Sequence, residues 1–309
     1  MTAMSAPRRT PRRHVDGVLL LDKPRGITSN AALLRVKRLY RAEKAGHTGT
    51  LDPLASGLLP VCFGAATRFA GFLLDAPKRY VATIRFGVTT TTLDAEGGVV
   101  ASREVAFGQD ALAAALTRFT GPQMQTPPAH SALKFEGRPY YDYARQGVDI
   151  ARAPRPVVIH ALRLLQWQAP DAVVEVECSK GTYVRVLAAD VGEALGCGAH
   201  LAALRRTASG GFALRDAVTF DALDAMGEAA LDACLKPVSV LVGHLPALIV
   251  AGDAARRFRH GGAVPAGECD DGLVAAYEAD SLLGIAFVSH GIANPRRTIA
   301  SPGAATEPA

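Results

Sequence analysis

The stretch Gly46-His47-Thr48-Gly49-Thr50-Leu51-Asp52-Pro53-Leu54-Ala55-Ser56-Gly57 decides how this chain is read. Three glycines and a proline within twelve residues prescribe a tight, irregular backbone rather than a helix or a strand. Pro53 fixes its own φ and biases Asp52 toward extended geometry. Directly after it come Leu54, Leu58, Leu59, Val61, Cys62 and Phe63, a run apolar enough to be buried. A single carboxylate on a stiff loop that leads straight into core is a candidate for chemistry. The same residues also fit a plain turn in which Asp52 accepts from neighbouring backbone amides.

Composition bounds the function classes. A chain of 309 residues accommodates one large domain or two smaller ones, and 49% hydrophobic residues supply ample core. The net charge of +5 permits an anionic partner. Its distribution says more: residues 1–50 hold eleven Lys or Arg against three Asp or Glu, so the remainder is mildly acidic. A basic N-terminal segment of this kind reads as an electrostatic handle for nucleic acid. Residues 1–14, with Arg8, Arg9, Arg12 and Arg13, have no periodicity and read as a disordered basic tail. The cysteines Cys62, Cys178, Cys197, Cys234 and Cys269 are scattered, with no Cys-x-x-Cys and no paired His spacing. That pattern argues against zinc and disulfides and for a reducing cytoplasm. The uncharged run between Asp52 and Arg68 is interrupted by Pro53, Gly57, Pro60 and Gly64, which makes it a buried segment and not a membrane span.

Along the chain, residues 17–21 read as a short buried strand ending at the turn Asp22-Lys23-Pro24-Arg25-Gly26. Thr28 or Ser29 caps a helix of about twelve residues that turns Arg35, Lys37, Arg38 and Arg41 outward. From Tyr80 through Ala82, Ile84 and Phe86 the pattern alternates with period two, a strand. Residues 89–98 make a polar turn, 111–119 a helix, and 173–177 a strand leading into Cys178-Ser179-Lys180-Gly181-Thr182-Tyr183-Val184-Arg185. Tyr183 and Arg185, two apart, face the same way if that backbone is extended. A helix follows over 186–195, broken by Gly196 and Gly198. From about Leu245, short apolar stretches alternate with Gly and Pro turns, the texture of a small β-rich domain. Residues 301–309 read as a frayed tail.

The run from Gly46 to Gly57 resembles, without a gap, the catalytic loop of the TruB family of pseudouridine synthases. The runs Asp22-Lys23-Pro24-x-Gly26-x-Thr28-Ser29, Ser131-Ala132-Leu133-Lys134 and Cys178 to Arg185 resemble the same family. One departure is His130, where the family has an aromatic residue before its Ser-Ala. The resemblance implies an α+β fold: a mixed, largely antiparallel sheet flanked by helices, plus a small C-terminal PUA-like β-barrel. The organisation it implies is a tail at 1–14, a catalytic domain at 15–240, an RNA-binding domain at 245–300 and a tail at 301–309.

It also implies a reaction. The uridine at position 55 in the T-loop of tRNA is isomerised: the base is cut from the ribose at N1, turned, and rejoined through C5. Carboxylates are competent nucleophiles at carbon, and the resemblance makes Asp52 the nucleophile. Arg185 becomes its cationic partner, Tyr80 the residue stacked on the flipped base, and Tyr183 a base contact that acts on the C5 proton. Leu204 lines the pocket and His47 touches the substrate loop. An isomerisation implies no cofactor and no metal, with the T-arm of tRNA as the partner. It implies a cytoplasmic monomer without a membrane or an obligate protein partner. The competing reading from another class is a non-catalytic RNA-binding protein that assists tRNA folding, but pure binding has no use for a buried carboxylate. A nucleotide-cofactor methyltransferase is disfavoured, since no Gly-x-Gly-x-x-Gly follows a strand.

Overall fold

The computed structural model describes residues 11–299 apart from Ala132. Its centre is a nine-stranded sheet. The main path runs Gly17–Lys23, Ala55–Phe63, Ala199–Ser209, Lys78–Phe86, Asp171–Cys178, Arg155–Gln168 and Gly121–Gln125. Every neighbour on that path is antiparallel except one: Ala199–Ser209 runs parallel to Ala55–Phe63, with Leu204 opposite Ala55 and Arg206 opposite Gly57. The sheet is therefore mixed and largely antiparallel, as the resemblance implied.

Both faces of the sheet are covered, which explains why residues 17–21 are continuously apolar rather than alternating. On one face Leu19, Leu21, Leu59, Val61 and Phe63 meet the helices Ser29–Leu39, Gln109–Arg118 and Val184–Ala194. On the other, Val18, Leu20, Leu58 and Cys62 pack with Phe69, Leu241 and Val242. Ala275, Leu282 and Ile285 of the C-terminal sheet join that second core. This sheet has five strands, ordered Ala247–Ile249, Gly272–Glu278, Ser281–Ser289, Ile292–Thr298 and Val264–Pro265. It curls around the helix Gly252–Arg259, whose Ala255 and Phe258 are buried against Val264, Ala286 and Val288.

Local expectations hold where periodicity was strong. In Lys78–Phe86 the residues Lys78, Tyr80, Ala82, Ile84 and Phe86 are buried and alternate with more exposed ones. Thr28 caps the Ser29–Leu39 helix, its hydroxyl accepting from Ala31 N at 3.0 Å. Three readings need correction. The stretch 46–57 is not irregular throughout: Ala45–His47 and Ala55–Phe63 are strands, leaving 48–54 as the loop. Arg185 lies not on extended backbone but in the first turn of the helix Val184–Ala194, with Tyr183 as its extended N-cap.

The third correction concerns charge. Residues 1–10 of the expected tail, and 301–309, lie outside the described residues. Arg13, however, is not in a free tail. Its N–H donates to Arg41 O at 2.9 Å, its Nε to Tyr40 O at 3.0 Å, and its guanidinium pairs with Glu228 and Asp232. Arg35 pairs with Asp224 and Arg41 with Glu228. The acidic residues of the Phe220–Asp224 and Glu228–Ala233 helices thus pair with three of the eleven cations that the sequence places on the N-terminal segment.

Candidate active site

The loop 48–54 is held by buried polar side chains that spend their hydrogen bonds on its backbone. Ser29, 1% exposed, accepts from Leu51 N at 2.7 Å and donates to Leu51 O at 3.0 Å. Gly26 N donates to Pro53 O at 2.8 Å. The turn carrying Gly26 is itself fixed by fully buried Lys23, whose Nζ donates to Pro24 O and Ile27 O. Arg206 donates from Nε to Leu58 O at 2.7 Å and from Nη2 to Gly49 O at 3.1 Å. Gly57 lets these strands approach: its φ is +101°, and a Cβ there would lie 2.3 Å from Arg206 O.

Asp52 does not behave as a plain turn residue. Its carbonyl accepts from Ala55 N at 3.0 Å, which closes the turn through backbone alone. Its carboxylate forms an ion pair with Arg185, with Oδ2 2.8 Å from Nη2. The same guanidinium faces Asp94, with Nη1 at 3.7 Å, and both Arg185 and Asp94 are buried. A cation in the first turn of a helix opposes the helix dipole, and two carboxylates offset that cost here. Asp94 is in turn held by the Thr92 hydroxyl at 2.5 Å and by Glu96 N at 3.0 Å.

A cleft of about 430 Å³ opens onto this pair, lined by Tyr80, Tyr183, Leu204, Lys78 and Arg206 as well as Asp52 and Arg185. An adjoining cleft of about 590 Å³, lined by His47, Asp94, His130 and Tyr141, shares Asp52 and Arg185 as its wall. A larger cleft of about 960 Å³ lies at the junction with the C-terminal sheet, away from the carboxylates of this pair. Asp52 keeps 42% of its side-chain surface at the mouth, and the cleft walls take the rest from solvent. Burial therefore pushes its pKa above the usual carboxylate value, against the pull of Arg185. Burial likewise raises Tyr80 and Tyr183, so both phenols keep their protons at neutral pH. It lowers His47, with Arg206 adding to the effect.

Tyr183 is oriented from behind. The buried Gln125 accepts from Tyr183 N at 2.7 Å and donates to Tyr183 O at 3.2 Å, while Arg185 Cζ lies 5.9 Å from the Tyr183 ring centroid. The structure thus gathers Asp52, Tyr80, Tyr183, Arg185 and Leu204 around one cleft and sets His47 on its outer neighbour. Sequence reasoning passed over Asp94, Gln125, Ser29 and Arg206. For Arg206 a signal existed: beside Arg205 on a strand, one of the two must point inward. Arg205 takes the exposed side and pairs with Asp22 at 2.6 Å.

A model of the TruB family pseudouridylate synthase N-terminal domain matches residues 37–184, and one of the tRNA pseudouridylate synthase B C-terminal domain matches residues 185–243. The tRNA pseudouridine synthase B of Burkholderia mallei (strain ATCC 23344) is 52% identical over 307 residues, 97% of this chain and 99% of that protein. That of Thiobacillus denitrificans (strain ATCC 25259 / T1) is 55% identical over 291 residues, 94% of this chain and 98% of that one. The chain belongs to the TruB family of pseudouridylate synthases. It is, as a member of that family, an isomerase. A chain in the crystal structure of a Cbf5-Nop10-Gar1 complex shares the fold at TM-score 0.70 and 28% identity, covering 96% of this chain and 91% of that one. The two family-model matches meet between Val184 and Arg185, so the Asp52–Arg185 pair joins both matched parts.

Proposed function

We propose that this TruB-family chain converts the uridine at position 55 of the tRNA T-loop to pseudouridine, with Asp52 as the nucleophile. The observation that carries this reading is the Asp52 carboxylate, held by a buried guanidinium at 2.8 Å and presented to a cleft with two protonated tyrosines. A uridine in a loop must leave its stack to reach such a group. Tyr80 offers the flat surface for the base. Asp52 holds one fragment while the N1–C1′ bond opens, and the base turns in a space closed by Leu204. As the C5–C1′ bond forms, Asp52 is released as a carboxylate, and the Tyr183 phenol relays the proton, taking it from C5 as it gives its own to N1. Arg185 keeps the carboxylate aimed through these steps, with Asp94 fixing the guanidinium from behind. His47 meets the RNA loop from the outer cleft.

The domain assignments follow the same reading: residues 15–240 carry the chemistry and 245–300 a PUA-like RNA contact. The enzyme acts on tRNA as a monomer in the cytoplasm, without a partner protein. Its scattered, unpaired thiols suit that compartment. Incubating purified protein with unmodified tRNA transcript in chelator-containing buffer, then mapping pseudouridine by position, tests the reading. Conversion at position 55 supports it. Tight binding with no conversion puts an RNA-folding assistant in its place, and conversion only after a metal is restored refutes the metal-free chemistry.

A further inference from the structure

Among the described residues, four buried side-chain atoms find no protein hydrogen-bond partner: His47 Nδ1, Ser131 Oγ, Thr207 Oγ1 and Ser209 Oγ. Ser131 differs from the others in its place. It is 3% exposed, and it lines both the inner cleft with Tyr183 and the outer cleft with Asp94, on either side of the Asp52–Arg185 pair. Its position is not accidental slack. Ser131 O accepts from Tyr141 N at 3.2 Å, and Leu133 O from Tyr140 N at 2.7 Å, so the start of the Tyr140–Arg145 helix pins the segment from both sides. The competing partner for the Ser131 hydroxyl is the Tyr183 phenol, whose pKa Ser131 draws down as a hydrogen-bonding neighbour against the rise from burial, yet the two hydroxyls do not meet the distance and angle of a formed hydrogen bond. A buried hydroxyl without a partner weakens a fold unless something else engages it.

We propose that Ser131 Oγ donates a hydrogen bond to a carbonyl of the uracil imide edge and holds the base in place before and after its turn. This rests on the reaction proposed above and adds a base-contacting residue to it. The chemistry of the turn makes a hydroxyl suitable. Rotating uracil about the axis through N3 and C6 brings C5 to where N1 stood and exchanges the C2 and C4 carbonyls. The edge O2, N3–H, O4 therefore presents the same acceptor–donor–acceptor pattern before and after. A donor placed at one carbonyl position grips the substrate and the product base equally well. It also leaves the N1 and C5 side open to Asp52 and Tyr183.

The test is Ser131→Ala in the full chain, with the parent run beside it on unmodified tRNA transcript. Single-turnover conversion at saturating protein should fall about tenfold, the worth of one neutral hydrogen bond. The tRNA Kd should stay within about twofold, since phosphate contacts dominate affinity, and the melting temperature should not fall. Three results would overturn the inference. An unchanged rate means the hydroxyl does not touch the base. A drop in melting temperature or failure to fold means it is a structural group. A displaced alkaline limb in the rate–pH profile means it acts on Tyr183 instead. If the parent itself converts no uridine, the proposed reaction has failed rather than the role of Ser131.

Discussion

Asp52→Asn separates a catalytic carboxylate from a structural one, and the geometry sets the size of each effect. Removing one member of a buried ion pair ordinarily costs about 3–5 kcal/mol, because the other charge is stranded. Here Arg185 is not stranded: Asp94 stays on its other side at 3.7 Å. Asp52 is also the more exposed partner, at 42% against 6% for Arg185, so solvent screens part of the attraction. The sign of the titration points the same way. Folding raises the Asp52 pKa. The folded state thus binds that proton more tightly than the unfolded one, and the ionised form at neutral pH weakens the fold. An asparagine removes this cost. The two effects oppose, and the net change in unfolding free energy should lie within about 1 kcal/mol of zero, of either sign. Chemistry should respond very differently. Without a nucleophile, single-turnover conversion should fall by at least about 10⁴-fold, roughly 5.5 kcal/mol of barrier. Binding of tRNA should stay within about tenfold of the parent. Urea unfolding, filter binding and single-turnover conversion with protein in excess measure the three quantities. A stability loss above about 2 kcal/mol, or conversion at the parental rate, refutes the assignment.

Other perturbations probe neighbouring parts. Arg185→Gln removes the cation that draws the Asp52 pKa down, so the acid limb of the rate–pH profile should move to higher pH, read by single-turnover rates across a pH series. The same variant buries Asp94 without its counter-ion and should lose about 3 kcal/mol in urea unfolding. Gly57→Ala places a methyl 2.3 Å from Arg206 O at a φ of +101°, and should cost about 3 kcal/mol or prevent folding, checked by thermal melting. Replacing Arg35 and Arg41 together with Gln should change the salt slope of tRNA binding by less than about 1, because both already pair with carboxylates. A loss of about 2 in slope would show that the RNA displaces those acids.

The parts of the fold that could be read were those whose burial is one-sided or complete. The Lys78–Phe86 strand alternates because one face is more exposed, and the residues 17–21 run is solid because neither face is. The strand Arg155–Gln168 escaped notice for a definite reason. Its register shifts between Ile159 and Ala161 and again between Leu164 and Gln166, and each shift breaks the period-two pattern that would reveal it. In the site, Asp52, Tyr80, Tyr183 and Arg185 came from motif resemblance, not from periodicity. The resemblance made Arg185 the partner of Asp52, and the structure pairs the two, although a helix N-terminus rather than an extended strand aims the guanidinium. Asp94 carried no signal at all: an acid in a Thr-rich turn looks the same whether solvent or a guanidinium faces it. Gln125 was equally silent, because a side chain that clamps another residue's backbone leaves no mark in spacing.

Charge shows most clearly what sequence position hides. Counting along the chain places the excess cations on the N-terminal segment, where an RNA could meet them. Folding brings the acids of residues 220–233 against Arg13, Arg35 and Arg41 and cancels them. The imbalance reappears inside the cleft. Lys78, Arg185 and Arg206, all less than 10% exposed, line it against the carboxylate of Asp52, with Asp94 behind Arg185. Desolvation lowers the Lys78 pKa only to about 8, so it remains largely charged at neutral pH. In a site walled by protein such cations act at low effective dielectric, far more strongly than on a wet surface. The reaction proposed here has a use for them. When N1 parts from C1′ the electron pair stays with the uracil, which is anionic until C5 attacks. A cleft with more buried cations than carboxylates stabilises that fragment over the neutral bound base, which is what lowering a barrier requires. It also accounts for Asp52 alone being left half exposed, since the carboxylate must approach carbon while the cations need only be near the charge that develops.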